Sequence, residues 1–407
     1  VNMTRNALPQ NYIVNQGTLL DDFETAGSYT GVYGCTVAAN TTEYKTGSKS
    51  LKVTGNVGVG CSFDKVINAN LSTDCKNMGI WIYFHSDPAT TLAYAIIFLS
   101  STADFSKHFY KAISLTTNPE LKIGWNWIPL YGIGSGVAWT NVGSDSWDSP
   151  RIRMRISINS KAGQQAIMSF DSWYVGIKYR PKALIMFDDC TLSSYTEGFS
   201  YMQTKGIKGT SYINSAVINS TQEAQLVEMY NAGWAIGNHS STHEDFGALS
   251  QAVIEERLQA CTDWLLAHGF NRGAYHVAYP FGTQNAAVLA AMAKLGMKTG
   301  RSVTAYYQRT PPQNKYILGS SSIGESTRSL ATAKGYVDSA IAAGHSMFFL
   351  FHHLAVSAAS ATWAIADFHT FIDYLIERGV ECVTIDEWYE GLTNPRYRSV
   401  PLSRATV

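Results

Sequence analysis

The chain is poor in charge. Only 15% of its 407 residues are Asp, Glu, Lys or Arg, below the ~25% usual in globular proteins, and 31 basic residues balance 31 acidic ones. With no basic surplus to hold phosphates, the balance argues against a nucleic-acid binder. A disordered chain would carry more charge and fewer aromatics than the 12% found here. Long apolar runs are also lacking. The densest, Met347 to Phe351, has the length of a strand, against the ~20 residues of a membrane-spanning helix, so no membrane insertion is expected. Val1 to Leu20 shows no basic-then-apolar export pattern. Six cysteines are too few for a disulfide framework. Cys35 and Cys61 are able to pair in an oxidising setting, but free buried thiols are the expectation. No Gly-x-Ser-x-Gly elbow occurs, which argues against a serine esterase.

What the chain does have is core material and aromatics: 45% hydrophobic residues, 23 tyrosines and 10 tryptophans. Its length fits two or three domains. Residues 1–19 lack periodicity and read as a polar arm. From residue 20 to 179 short strands alternate with Gly, Asn, Ser and Asp turns. Ile152 to Ile158 alternates apolar and polar with period two, so one face is buried and one wet. Similar runs at 50–53, 78–84, 92–99, 109–115, 125–130 and 166–177, with no convincing helix, predict an all-β sandwich.

After Arg180-Pro181 strands and helices alternate. Strands are expected at 183–187, 210–213, 234–237, 274–279, 297–303, 347–351 and 381–385. Helices are expected at 196–205, 221–232 (with Ser220 as N-cap), 251–268, 285–295, 332–343 and 362–378. Glycines 233, 269, 296, 344 and 379 each follow a helix, as left-handed stops do. Seven β-α units over 180–393 predict a parallel barrel or doubly wound sheet, with chemistry at the C-terminal ends of the strands. Residues 394–407 read as a tail.

Eight of the ten histidines lie at or after position 239, which turns the search to this half. The first strand ends in Phe187-Asp188-Asp189-Cys190. Two carboxylates leaving a buried strand are expensive unless something binds them; a solvated or helix-capping pair is the plain alternative. The third strand ends in Asn238-His239-Ser240-Ser241-Thr242-His243, and histidines four apart can grip one cation. An isolated pair of this kind is more often unrelated histidines. Here both pairs follow strands of one β-α array and can meet at its rim. Asp189, His239 and His243 would make a three-ligand site with open positions, the pattern of a catalytic metal.

These motifs resemble those of the NodB-homology polysaccharide deacetylases, carbohydrate esterase family 4. The matching residues are Phe187-Asp188-Asp189, His239 through His243, Tyr279-Pro280-Phe281-Gly282 and Leu350-Phe351-His352, in family order over about 182–392. The resemblance implies a distorted (β/α)7 barrel and a divalent metal, zinc first with cobalt or nickel as alternatives, on Asp189, His239 and His243. Asp188 would be the general base and His352 the general acid; the metal and the Phe281 N–H would stabilise the oxyanion. Tyr279 and Pro280 would line the substrate. The partner implied is an acetylated polysaccharide, an N-acetylhexosamine polymer or an O-acetylated surface glycan, in an extracellular, cell-surface or virion-associated setting.

Two departures stand out. Cys190 replaces the usual Gly, and a packed thiol is expected there rather than a ligand. The arginine that orients the base would fall at Ala278; Arg301, ending the fifth strand, is the candidate substitute, a structural ion pair being the equal alternative. The missing arginine leaves a second reading open, a catalytically weak polysaccharide-adhesion protein such as a surface or phage tail component.

The first half resembles jelly-roll carbohydrate-binding modules in Asp22-Phe23-Glu24, Gly47 to Val53, Gly124-Trp125-Asn126 and Phe170 to Gly176. The resemblance makes Trp125 and Trp139 candidates for stacking on sugars, with core packing as the plainer role for any one tryptophan. The polar arm is compatible with docking to a partner or with a homo-oligomer, and equally with disorder.

Overall fold

Alternation of apolar and polar residues decides the architecture of the first half. In strand Arg151–Ser160 the side chains of Met154, Ile156 and Ile158 are fully buried, while those between them turn outward. The structure, a computed structural model, describes residues 12–71, 77–131, 139–305, 308–322, 329–357, 359 and 361–393. The chain divides into two compact units, Val1–Tyr179 and Arg180–Val407.

The first unit holds two six-stranded antiparallel sheets. One runs Gly124–Leu130, Met78–Phe84, Ile167–Val175, Ser50–Gly55, Cys35–Asn40, with Thr18–Asp21 also paired to Ile167–Val175. The other runs Thr140–Val142, His108–Ile113, Leu92–Ser100, Arg151–Ser160, Gly60–Ala69, Thr30–Tyr33. Ile80, Ile82 and Phe170 of the first sheet and Ile97, Leu99 and Ile156 of the second belong to one continuous core. The expected arm fails beyond residue 12. Ile13–Asn15 pairs with Lys178–Tyr179, and Thr18–Asp21 joins the first sheet. Strands this short, and mostly facing solvent, carry no alternation to read. Residues 1–11 and 394–407 lie outside the described residues.

The second unit is built on a curled parallel sheet. Its strands are β1 (Lys182–Phe187), β2 (Thr210–Ile213), β3 (Ala235–Asn238), β4 (His276–Ala278), β5 (Thr299–Arg301), β6 (Ser321–Ser322) and β7 (Met347–Phe351), with β8 (Glu381–Cys382) against the start of β1. β1 to β5 follow one another across the sheet, and β7 pairs with both β1 and β6. A bridge between Arg301 and Leu318, three residues before β6, joins the two margins, so the sheet is barrel-like. Two expectations are corrected here. The seventh member of the ring is the pair Ser321-Ser322, not 381–385, because two serines give no hydrophobic signal. Beyond β8 the chain turns into helix Ile385–Thr393. Thr384 and Glu387 cap it reciprocally, the Glu387 N–H donating to the Thr384 hydroxyl and the Thr384 N–H to the Glu387 carboxylate.

Helices Ser200–Thr204, Ser220–Asn231, Gln251–Ala267, Ala286–Lys294, Leu330–Ala343 and Ile365–Glu377 fill the connections. The cap of Ser220–Asn231 is Asn219, not Ser220: its side chain takes the N–H groups of Thr221 and Gln222, and Gln222 reciprocates. Gly344 ends Leu330–Ala343 at φ 68, where a side chain would be strained. Among the described residues no helix is long and apolar enough to cross a membrane.

Candidate active site

Five strands deliver the site. β1 ends at Phe187 and is followed by Asp188 and Asp189; β3 is followed by His239; β4 leads into Tyr279 to Gly282; β5 ends in Arg301; β7 is followed by His352. Parallel strands present these ends together, so residues far apart in sequence share one rim.

Asp189, His239 and His243 converge, with one ligand atom from each lying within 4.8 Å of the others. Asp189 Oδ1 is 3.5 Å from His239 Nε2 and 3.4 Å from His243 Nε2. Two ligand atoms about 2.1 Å from one tetrahedral ion stand about 3.4 Å apart, so this spacing fits a shared cation. The buried His239 ring donates its Nδ1–H to the Ala278 carbonyl at 2.7 Å, which aims the Nε2 lone pair at the triad. Burial holds the His239 pKa below the ordinary histidine value despite Asp188 and Asp189, so the ring is neutral, as a ligand must be. Asn214, following β2, donates to Asp189 Oδ1 at 3.4 Å.

Asp188 sits deeper and is buried. Arg301 Nη2 donates to both of its oxygens, at 2.7 and 2.6 Å. Burial pushes this carboxyl upward, but the Arg301 guanidinium overcomes it and holds the group below the usual carboxylate range. Ala278 and Arg301 are partners in the parallel register of β4 and β5. The guanidinium therefore reaches Asp188 from the strand beside the position where the family motif has its arginine. Tyr212 supports it, its ring 5.2 Å from the guanidinium carbon.

His352 is half-buried, whereas His353 is exposed. Thr191 donates to the His352 carbonyl at 2.7 Å. The buried Nδ1 of His352 has no hydrogen-bond partner, so the carboxylate that would usually orient it is lacking among the described residues. Phe281 stands 63% exposed, its ring 4.8 Å from that of His243. Gly282 follows with φ 74, and a Cβ there would lie 2.4 Å from Val303, so this loop requires glycine.

Strain collects here. Asp189, Cys190, Ser240, His243 and Phe281 are five of the ten described non-glycine residues with positive φ, a conformation costing of order 1 kcal/mol or more each and found where function imposes it. Cys190, at φ 49, occupies the left-handed position that explains a glycine in the motif. Its thiol is buried in the core and pushed up to about 12 by that burial, which suits packing rather than ligation.

Three expected substrate contacts are corrected. Tyr279 is buried and donates its hydroxyl to the Tyr316 carbonyl at 2.8 Å; Pro280 is buried too. Both shape the loop instead of facing a ligand. Trp139 lies in the core of the first unit, stacked on Trp173. Trp125 is half-buried and packs against Tyr83 and Trp81. Sequence reasoning did not find Asn214, Thr191 or the Ala278 carbonyl. A polar residue one place past a strand end was the only signal for Asn214, and the carbonyl had none.

The family model of polysaccharide deacetylase matches residues 177–300, which include Asp188, Asp189, His239, His243 and Phe281 but end before Arg301 and His352. Among solved structures, a family 4 carbohydrate esterase from Streptomyces lividans, in complex with acetate, aligns over 50% of this chain and 91% of its own, at 18% identity and a TM-score of 0.38. The chitin deacetylase of the fungal pathogen Colletotrichum lindemuthianum aligns over 52% and 88%, at 15% identity and 0.38. A CE4 family pseudoenzyme from Bacillus anthracis aligns over 52% and 66%, at 16% identity and 0.38. No curated protein matches the chain. The family match places a polysaccharide deacetylase domain at 177–300, and the chain is an enzyme, a hydrolase of the deacetylase kind.

Proposed function

We propose that the chain removes acetyl groups from a polysaccharide with the help of a divalent metal, zinc first, held by Asp189, His239 and His243. The observation that carries this reading is that triad beside a buried carboxylate, Asp188, which Arg301 keeps ionised. A divalent cation there would supply Lewis acidity, which makes water nucleophilic at neutral pH and offsets charge growing on an acyl oxygen. Asp188 takes the proton of the attacking water, the task of a general base. His352 returns a proton to the departing amine or alkoxide. His239 stays in one tautomer through the Ala278 carbonyl, and the Phe281 backbone turns its N–H toward the acyl oxygen.

The rim supports a glycan as substrate. Seven large apolar side chains of this unit are strongly exposed among the described residues. Five of them, Leu192, Val217, Phe281, Val303 and Val356, lie on loops that follow sheet strands. The stretches 189–193, 214–219, 239–250, 279–285, 302–305 and 352–357 contain no Lys or Arg. Such a surface suits the C–H faces and acetyl methyls of an uncharged sugar chain, and these stretches present no Lys or Arg to an anionic one. The first unit fits the role of a carbohydrate-binding module, with Trp125 as its candidate contact, in an extracellular or surface-associated enzyme. The alternative of glycan adhesion without turnover drew on the absent motif arginine, and Arg301 removes that reason.

The test is acetate release from N- and O-acetylated glycans by metal-replete and chelated protein, alongside Asp188→Asn. We expect release that disappears with chelation and returns with zinc, and a loss of about 10²-fold or more in the variant while it retains metal. Metal bound in stoichiometric amount with no acetate released from any glycan would sink the reading.

A further inference from the structure

The two sheets of the first unit meet at a pair of thiols. Cys35 opens strand Cys35–Asn40, at the margin of one sheet, and Cys61 lies at the start of Gly60–Ala69 in the other. The chain at 33–35 runs alongside 60–62: Tyr33 pairs with Ser62, and a Cβ on Gly34 would fall 3.4 Å from Cys61 Cβ. Gly55 is the antiparallel partner of Cys35, and a Cβ at Gly55 would lie 3.5 Å from Cys61 Sγ. Cys35 Sγ is also 3.7 Å from the carbonyl of Ser62, the residue that follows Cys61. Cys35 is half-buried at an open sheet margin, while Cys61 is buried. The remaining described cysteines, Cys190, Cys261 and Cys382, belong to the second unit, so neither thiol has a competing partner among the described residues of its own unit.

We propose that Cys35 and Cys61 are an oxidisable pair that closes to a disulfide in the presence of a small-molecule disulfide, tying the edge of one sheet to the other. The Cys35 thiolate attacks one sulfur of the oxidant and expels one thiolate, leaving a mixed disulfide on Cys35. The Cys61 thiolate then attacks the Cys35 sulfur and expels the second. Two protein thiols are oxidised, one external disulfide is reduced to two thiols, and the two protons pass to solvent or to the expelled thiolates. The order follows from the surroundings. Cys35 is the accessible sulfur, and the neighbouring Cys61 thiol holds its own below the ordinary value, whereas the nearness of Cys35 and burial push Cys61 up. Both thiols are free in the structure, as expected, with Cys61 buried and Cys35 half-buried; the proposal concerns what they do under an oxidant.

The full chain is treated with oxidised glutathione under native conditions, then alkylated, digested and mapped by mass spectrometry. The expected result is loss of two free thiols and a cross-linked peptide joining Cys35 to Cys61, reversed by a thiol reductant. Cys61→Ser should instead stop at a stable glutathione adduct on Cys35, and Cys35→Ser should give neither product. The melting transition should rise on oxidation in the natural chain and not in either variant. A glutathione adduct on Cys35 of the natural chain without cross-linking would overturn the proposal, as would a cross-link to Cys75 or no loss of thiols.

Discussion

Arg301 shows how one residue can hold a site that its motif has lost. Its Nη2 lies on both oxygens of a carboxylate that is itself buried. Removing one partner of such a pair leaves the other charge in a poor solvent, at a cost of about 3–5 kcal/mol. Arg301→Met should therefore lower stability by that order. It should also lower activity by more than the fold is disturbed, because Asp188, left to burial alone, would take up a proton and cease to act as a base. Arg301→Lys should recover part of both losses, since one nitrogen makes both contacts. Thermal melts and acetate release on the three proteins decide it. Equal stability in Arg301→Met would show that Asp188 does not need this partner.

Elements were legible where burial imposes a period and illegible where it does not. Met78–Phe84 and Met347–Phe351 stand as the sequence pattern predicts, because each is a hydrophobic run of strand length. Ser321–Ser322, two residues long, takes its place in the ring by parallel pairing with β7 and leaves no trace in composition. The start of Arg151–Ser160 hides a further feature. Arg151 reaches the buried Asp145 through Nη1 and Nη2 at 2.7 and 3.1 Å and lies over the stacked rings of Phe109 and Trp147. Trp147 is thus committed to packing. Burial raises the Asp145 pKa, but Arg151 and Ser101 overcome that and hold it below the ordinary aspartate value. A lowered folded-state pKa contributes stability above the unfolded value, about 3.9, and that stability is lost as pH falls through the folded value. The first unit should accordingly lose stability on acidification below about pH 4. Asp145→Asn should cost about 3–5 kcal/mol at neutral pH and flatten the acid dependence. Melts followed by tryptophan fluorescence at both pH values test this. An unchanged acid slope in the variant would assign the dependence to other carboxylates.

At the scale of the molecule, the site was more legible than its surroundings. Asp188, Asp189, His239 and His243 could be named because metal and proton chemistry admits few residue types and fixes their spacing. The groups that hold them, Asn214, Thr191 and a backbone carbonyl, are ordinary in sequence and acquire meaning only when the strands are brought side by side. The same is true of the apolar residues Leu192, Val217, Phe281, Val303 and Val356, which are scattered over the second half of the chain and come to the same end of the sheet because each follows one of its strands. If that rim carries the sugar, Phe281 is its most telling member, since its ring is exposed and adjoins His243. Phe281→Ala keeps the backbone N–H and removes only the ring. Loss of one stacking contact, about 0.5–1.5 kcal/mol, should raise KM several-fold for a neutral acetylated glycan with little change in kcat. Phe281→Tyr should restore it. An acetylated polymer of uronic acids should be a poor substrate for all three proteins, because the rim stretches offer no cation. Initial rates of acetate release against glycan concentration give both parameters. A fall in kcat at constant KM would mean that the ring positions the loop rather than the sugar, and efficient turnover of the uronic acid polymer would remove the rim from substrate selection.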